Sequence, residues 1–130
     1  TNRSASTDSL ADMEAIEKNI GKLYSAEVIM DDRYPGWNPN PDSPLLKIAE
    51  DVYNQMFDGK FKTEVIHAGL ECSYFVQRIK NADCISIGPT ILTPHTWNER
   101  LEIPTVPVFY QCVVNILAKA WKTDYKGYKI

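Results

Sequence analysis

The chain has 130 residues, of which 44% are hydrophobic and 24% are charged, so the composition predicts one folded domain and excludes wholesale disorder. The net charge is -3 and the 14 Lys and Arg are scattered, which argues against a nucleic-acid partner. No apolar run approaches the roughly 20 residues that a membrane-spanning helix requires, and no signal-peptide pattern is visible. We therefore expect neither a nucleic-acid nor a membrane partner.

The first elements are a helix, a strand and a proline-rich segment. Apolar residues at three- and four-residue steps predict the helix: Leu10, Met13, Ile16, Ile20 and Leu23. Its predicted cap is Thr7 or Asp8. Residues 26–30 are predicted to form a strand. The segment 34–44 contains four prolines, which exclude a regular element and indicate a domain boundary.

Helices and apolar strands alternate in the remainder. Ser43-Pro44 predicts a helix start and Asp58-Gly59 its end. We further predict strands at 62–68 and 84–87, a short helix at 70–79 and an irregular loop at 90–100. Thr105 is predicted to cap a last helix with one apolar face, which is formed by Val106, Phe109, Tyr110, Val113, Leu117 and Trp121. This alternation predicts an α/β layer around a largely parallel sheet, with too few strands to be self-sufficient.

The three cysteines are an odd number and have no CxxC spacing, which argues against a disulfide framework or a cysteine zinc site. Their chemistry favours a reducing, cytoplasmic setting. Cys112 lies within an apolar helical pattern and is predicted to be a small buried hydrophobe.

Two histidines follow predicted strands, where ligands bind in open α/β sheets. His67 and His95 are therefore candidate metal ligands, although a histidine in either position also fits a structural role. Glu71 is either a ligand-binding residue or a helix cap, and Glu99 is either a supporting group or one half of a solvated pair. The residue types alone leave these alternatives open.

Ordered motifs carry a resemblance to a known family. The strings are Ile66-His67-Ala68-Gly69-Leu70-Glu71-Cys72, then Ile85-Ser86-Ile87-Gly88-Pro89-Thr90-Ile91, then Pro94-His95, preceded by Tyr34-Pro35-Gly36-Trp37-Asn38-Pro39-Asn40 and Asn2-Arg3-Ser4. Together they resemble the C-terminal signature of aminoacyl-histidine dipeptidases (peptidase D, or Xaa-His dipeptidases) of the M20 metallopeptidase family. The chain does not begin with Met, and we expect a C-terminal fragment of such an enzyme.

The resemblance implies a zinc-exopeptidase fold. The expected fold class is α/β, the C-terminal part of a three-layer catalytic domain preceded by the last helix and strand of an α+β lid domain. Residues 1–33 would be the lid remnant, 34–44 the proline-rich crossing segment and 45–130 the catalytic part. The intact enzyme would be a cytoplasmic dipeptidase that hydrolyses Xaa-His dipeptides such as β-alanyl-His, and possible homodimerisation is a family expectation.

The resemblance also assigns roles to residues. His95 matches a ligand of one of two zincs per active site, and Glu99 would orient its loop. Gly69 and Glu71 would hold the substrate, and Arg3 would pair with its carboxylate. No catalytic residue falls in this chain, because the general base and the other zinc ligands precede it in the family, so we expect the fragment alone to be inactive. His67 receives no role beyond support.

Two departures from the family pattern leave alternatives open. Ser73 stands where glycine is usual, and Thr96-Trp97-Asn98 stands where Ser-Pro-Asp is usual. These changes motivate a second interpretation, a degenerate M20 segment that acts as a non-catalytic interaction module. A third interpretation is another M20 enzyme, a tripeptidase or an N-acyl amino acid hydrolase.

Overall fold

A computed structural model describes residues 2–31, 34–66 and 70–122. In chain order the elements are α1 (Thr7–Leu23), α2 (Pro44–Phe57), α3 (Cys72–Arg78), β1 (Ile91–Leu92), β2 (Arg100–Leu101) and α4 (Thr105–Lys122). The chain divides into two compact units. The first comprises Thr1–Pro41 and Glu64–Cys84, and the second comprises Asp42–Thr63 and Ile85–Ile130. The predicted lid and catalytic boundaries concern the complete protein and stay a prediction.

Helix α1 lies in the first unit and confirms the predicted helix, but its cap is Ser6 rather than Thr7 or Asp8. The Ser6 hydroxyl accepts a hydrogen bond from the N–H of Ser9 at 3.3 Å, which satisfies one of the helix's orphan donors. The cap prediction was wrong by one or two residues because several polar residues precede the helix. Most of its apolar stripe is exposed: the exposed fractions of Ile16, Ile20 and Leu23 are 58%, 53% and 76%.

Two glycines allow close approaches within the first unit. A Cβ on Gly36 would lie 2.6 Å from both the carbonyl oxygen of Ala5 and the amide nitrogen of Thr7. The proline-rich segment therefore packs directly against the start of α1, and only glycine fits there. At the other end of α1, Gly21 is buried and a Cβ on it would clash with the side chain of Val28.

The second unit is built on the packing of α2 against α4. Ser43 caps α2 by accepting from Leu46 N–H at 2.9 Å, and Pro44 occupies the first helical turn, as predicted. Asp58 and Gly59 end the helix with φ values of 52° and 70°, which also confirms the prediction. The core cluster consists of four buried residues from the two helices: Ile48, Ala49, Val52 and Ile116. The Lys119 ammonium also donates to Asp51 Oδ2 at 2.9 Å.

The buried stripe of α4 differs from the predicted one. Cys112 and Ile116 are the buried residues, at 1% and 5% exposure, whereas Tyr110, Leu117 and Trp121 are exposed at 68%, 64% and 90%. The helix itself and the burial of Cys112 are confirmed. The predicted face was wrong because α4 is apolar on most sides, so periodicity alone does not select the stripe that packs on α2. Thr105 is the first residue of α4 rather than its cap.

The predicted strands do not form in the described residues. Segments 26–30, 62–66 and 84–87 carry no strand, and His67 and Ala68 lie outside the described residues. Ile85 and Ile87 instead pack against the core of the second unit. The predicted irregular loop was partly wrong, because β1 and β2 pair as an antiparallel hairpin within and beside it. A strand is stable only beside another strand, and no parallel neighbour is found in residues 2–31, 34–66 and 70–122.

The architecture is thus a mixture of helices with few strands, which is compatible with a piece of an α/β domain. The short helix predicted at 70–79 is confirmed as α3. No helix within the described ranges is long and apolar enough to cross a membrane.

Candidate functional site

His95 lies in a loop that is closed by the β1–β2 hairpin. Ile91 pairs with Leu101 and Leu92 pairs with Arg100. One residue further out, Glu102 N–H donates to the Thr90 carbonyl at 2.9 Å, which extends the ladder. Thr90 N–H donates to Thr105 Oγ1 at 3.0 Å, so the base of the hairpin is also attached to the first residue of α4.

Short hydrogen bonds inside the loop fix its backbone. Thr93 Oγ1 donates to the Asn98 carbonyl at 2.7 Å, and Thr96 Oγ1 donates to the Thr93 carbonyl at 2.8 Å. Glu99 N–H donates to the Thr96 carbonyl at 3.1 Å. These bonds span three to five residues each, so the loop holds its conformation from within.

His95 itself adopts a left-handed backbone conformation with φ of 62°. Its N–H donates to Glu99 Oε2 at 2.6 Å, a short charge-assisted hydrogen bond. Non-glycine residues adopt this conformation at a cost, and the Glu99 bond offsets part of that cost. The residue is exposed. Glu99 binds the backbone of His95, and no hydrogen bond to its imidazole ring is found among the residues that the structure describes.

The other predicted site residues lie in the first unit. Arg3 is exposed ahead of α1, and Glu71 is exposed at the residue that precedes α3. Gly69 and His67 lie outside the described residues, and their assignments stay predictions. The structure therefore brings together His95 and Glu99 within the second unit, and it places Arg3 and Glu71 in the first.

Glu71 does not cap α3 by a hydrogen bond. It occupies the cap position, but its backbone is helical (φ -56°, ψ -30°) and its side chain makes no cap hydrogen bond. Its carboxylate instead acts on a neighbouring phenol. Desolvation raises the pKa of Tyr34 above its ordinary value, and the negative charges of Glu71 and an ionised Tyr74 raise it further.

A small aromatic cluster surrounds this position and was not found from the sequence. The rings of Tyr34 and Tyr74 meet edge-on with centroids 4.8 Å apart, and the Arg78 guanidinium lies 5.9 Å from the Tyr74 centroid. A groove in the first unit is lined by Glu71, Tyr74, Phe75, Arg78 and Ile79. The four-residue spacing of Tyr74 and Arg78 on a helix was the available signal, but nothing indicated that Tyr34 would join them.

The two departures from the family pattern are accommodated differently. Ser73 is buried at 1% exposure, and its Oγ donates to the Leu70 carbonyl at 2.6 Å. This side chain therefore lies within the first turn of α3 and stabilises it. Trp97, by contrast, is 98% exposed in the His95 loop. An indole so exposed changes the surface beside His95 without altering the loop's own hydrogen bonds.

A complete metal site is not formed by the residues that the structure describes, since no three His, Cys, Asp or Glu side chains converge there. His95 supplies one nitrogen donor, and Glu99 is engaged by the backbone N–H of His95. A catalytic zinc requires three protein ligands, so the donor set fits one contribution to a larger site.

In a comparison with known proteins, the chain is similar to an enzyme of the dipeptidase class. A matching relative is the Cytosol non-specific dipeptidase of Escherichia coli (strain K12), which is 34% identical over 99 residues. The match covers 76% of this chain but only 20% of that enzyme, so the chain spans about a fifth of its relative's length. No family model matches the chain. The resemblance to M20 dipeptidases that the ordered motifs indicated is confirmed by this similarity.

Proposed function

We propose that the chain is the C-terminal part of a zinc-dependent dipeptidase and that His95 is one of its metal ligands. The observation that carries this proposal is the similarity to a dipeptidase, 34% identity over 99 residues, together with the ordered motifs in the chain. An alignment that covers three quarters of the chain is hard to explain by chance motif matches. We also propose that the complete enzyme is cytoplasmic.

The exposed apolar surface supports a place inside a larger domain. Leu23, Ile103 and Trp121 are exposed at 76%, 75% and 90%, and many other large hydrophobic side chains are exposed with them. Soluble monomers rarely leave so much apolar surface uncovered. In the proposal, residues 1–33 are the lid remnant, residues 34–44 are the crossing segment and residues 45–130 are part of a three-layer catalytic domain. The remainder of the enzyme covers the exposed apolar surfaces and supplies neighbouring strands.

The hydrogen-bonded loop explains how His95 would serve a metal. Neutral imidazole is a good zinc ligand, and a ligand whose backbone is fixed before binding loses less conformational entropy when the metal is bound. Glu99 positions the His95 backbone through the 2.6 Å hydrogen bond. When bound, the proposed pair of zinc ions would polarise the scissile carbonyl and activate a water. Proton transfer belongs to a carboxylate outside this chain.

Substrate contacts are proposed for Arg3, Gly69 and Glu71. The Arg3 guanidinium is suited to the carboxylate end of a dipeptide, because a planar guanidinium binds a carboxylate through two parallel hydrogen bonds. Gly69 and Glu71 would hold the other end, with the Glu71 carboxylate available because it makes no cap hydrogen bond. Xaa-His dipeptides such as β-alanyl-His are the proposed substrates, and homodimerisation of the complete enzyme is also proposed.

One observation favours a second candidate function. Trp97 is 98% exposed at a position where the family pattern has proline, and exposed aromatic residues are typical of protein-binding surfaces. On this alternative, the chain is a degenerate M20 segment that acts as an interaction module without hydrolytic activity.

The experiment that separates these functions is an assay of the complete enzyme, expressed from the full coding region, against β-alanyl-His, other dipeptides, tripeptides and acylated amino acids. The proposal predicts zinc-dependent hydrolysis of dipeptides by the complete enzyme and none by the 130-residue chain. Hydrolysis of acylated amino acids or tripeptides in preference to dipeptides would transfer the assignment to another M20 activity. Inactivity of the zinc-loaded complete enzyme towards all four classes would favour the interaction module, and a robust rate from the short chain would contradict the assignment of the general base.

A further inference from the structure

A methionine sulfur lies at the contact between α2 and α4, and two groups of α4 donate to it. The Cys112 thiol donates to Met56 Sδ at 3.6 Å, and the side-chain amide of Asn115 donates to the same sulfur at 3.4 Å. Met56 is the last residue but one of α2 and packs against the core of the second unit. A thioether sulfur is a weak acceptor, and methionine usually contributes only apolar packing. Met56 also joins the two helices by directed contacts.

The rest of α4 holds both donors in place. Gln111 Nε2 donates to Asn115 Oδ1 at 2.9 Å, so the oxygen of that amide is engaged and its nitrogen faces Met56. Cys112 is 1% exposed, and Ile116 on the next turn of α4 belongs to the core cluster. A change at the Met56 sulfur that displaces either donor therefore acts on the packing between the two helices.

We propose that Met56 is a reversible oxidation site, at which hydrogen peroxide converts the thioether into a sulfoxide and thereby loosens α2 from α4. The side chain of Met56 packs against the core but is partly exposed, so a reagent as small as a peroxide can reach it. Oxidation replaces a flexible apolar side chain by a polar one, which disrupts packing in protein cores. This inference goes beyond the proposed peptidase function and does not depend on it.

The oxidation is a balanced transfer of one oxygen atom. A lone pair of the Met56 sulfur attacks one oxygen of the peroxide, the O–O bond breaks, and the other oxygen leaves as water with both peroxide protons. The sulfur has then lost two electrons to the peroxide and become a sulfoxide. A methionine sulfoxide reductase reverses the change, because two thiols supply two electrons and two protons and the oxygen leaves as water.

The position of the two donors explains why the added oxygen disturbs the fold. A thioether sulfur has two lone pairs, and the oxygen transfer consumes one of them. Since Cys112 and Asn115 both lie in direct contact with this sulfur, the new oxygen displaces one of the two groups. The displaced group belongs to α4, so the packing of α4 on α2 loosens. We expect the equilibrium constant for unfolding to rise at least roughly tenfold in chains oxidised at Met56.

The test treats the 130-residue chain with hydrogen peroxide and divides samples taken over time between peptide mapping and urea denaturation. Trypsin places Met13, Met30 and Met56 on three separate peptides, so each sulfoxide is identified by its added oxygen. Dithiothreitol is added to every sample to reduce disulfides and sulfenic acids, and methionine sulfoxide persists because its reduction requires a reductase. The peptide that carries Cys112 is mapped in the same samples and should stay unmodified.

The order of oxidation and its effect on stability should differ between the methionines. Met13 lies in the other compact unit and is 37% exposed, so it should be oxidised first and leave the urea midpoint unchanged. Met56 should be oxidised more slowly because it is packed against the core, and the midpoint should fall in step with it. Treatment of the oxidised chain with methionine sulfoxide reductase should restore the midpoint.

Two variants assign the effect to one sulfur. Met56→Leu keeps the apolar volume but cannot be oxidised, so its urea midpoint should not respond to peroxide. Met13→Leu is the matched control and should respond as the wild type does. The proposal is overturned if Met56 is oxidised only in unfolded chains, if its oxidation leaves the midpoint unchanged, or if peroxide destabilises Met56→Leu as much as the wild type. The wild-type time course decides the first two points even if a variant does not fold.

Discussion

Helices α1 and α2 both carry an apolar stripe, yet they differ in what covers it. In α2, Ile48 and Val52 are buried at 6% and 3% exposure because α4 packs against them. In α1, Ile16 and Ile20 occupy equivalent positions on the stripe but are exposed at 58% and 53%. An amphipathic pattern therefore defines which side of a helix seeks a partner, and it does not say whether the partner lies within the same chain.

The largest expected effect concerns the stability of the two helical surfaces. Ile116→Ala removes a buried side chain from the α2–α4 core and should lower the free energy of unfolding by about 3 kcal/mol through lost burial and the cavity left behind. Ile20→Ala on α1 is the matched control and should change it by less than about 0.5 kcal/mol. Urea denaturation followed by circular dichroism measures both values. Equal losses would mean that α1 is covered as well as α2.

The His95 loop differs from both helical surfaces, because its own hydrogen bonds hold its conformation without packing by another element. Glu99→Gln removes the charge that accepts from the His95 N–H at 2.6 Å. We expect faster amide exchange at His95 in the short chain and roughly a tenfold loss of zinc affinity in the complete enzyme, as for other groups that orient metal ligands. Glu102→Gln, outside the loop, is the control. Unchanged zinc affinity in Glu99→Gln would remove the positioning role from Glu99.

A smaller effect is expected at the aromatic cluster of the first unit. Desolvation and the charge of Glu71 raise the pKa of Tyr34, so Glu71→Gln should bring that pKa down towards its ordinary value. An ultraviolet titration of the wild type, the variant and Tyr34→Phe assigns the change to Tyr34. A folded-state pKa above the unfolded value means that this contribution to stability is present at neutral pH and is lost as pH rises through the alkaline range. An unchanged Tyr34 titration in Glu71→Gln would show that the carboxylate does not act on the phenol.

The fold was predictable from the sequence where its interactions are local. All four helices were predicted, and the Ser43 cap and the Asp58-Gly59 end of α2 were predicted residue by residue, because helices and their caps are formed by neighbours within one turn. The prediction of strands at 26–30, 62–66 and 84–87 was wrong, since a strand depends on pairing with residues distant in the sequence. The prediction of which α4 residues are buried was wrong for the same reason, because packing against α2 determines the buried side of α4.

The candidate site was likewise predictable only where its residues lie close together in the sequence. The spacing of His95 and Glu99 placed both in one loop, and the structure joins them by a short hydrogen bond. Roles for Arg3, Gly69 and Glu71 came from the resemblance and stay predictions.

The central claim is that His95 is a metal ligand, and one measurement tests it most directly. The complete enzyme is purified as His95→Ala and as Trp97→Ala, and zinc content and dipeptide hydrolysis are measured for each. Trp97 lies in the same exposed loop but offers no metal donor, so its variant controls for changes in the loop. We predict that His95→Ala loses about one zinc per chain and at least about a hundredfold in activity, while Trp97→Ala retains full zinc content. Undiminished zinc content and activity in His95→Ala would contradict the assignment.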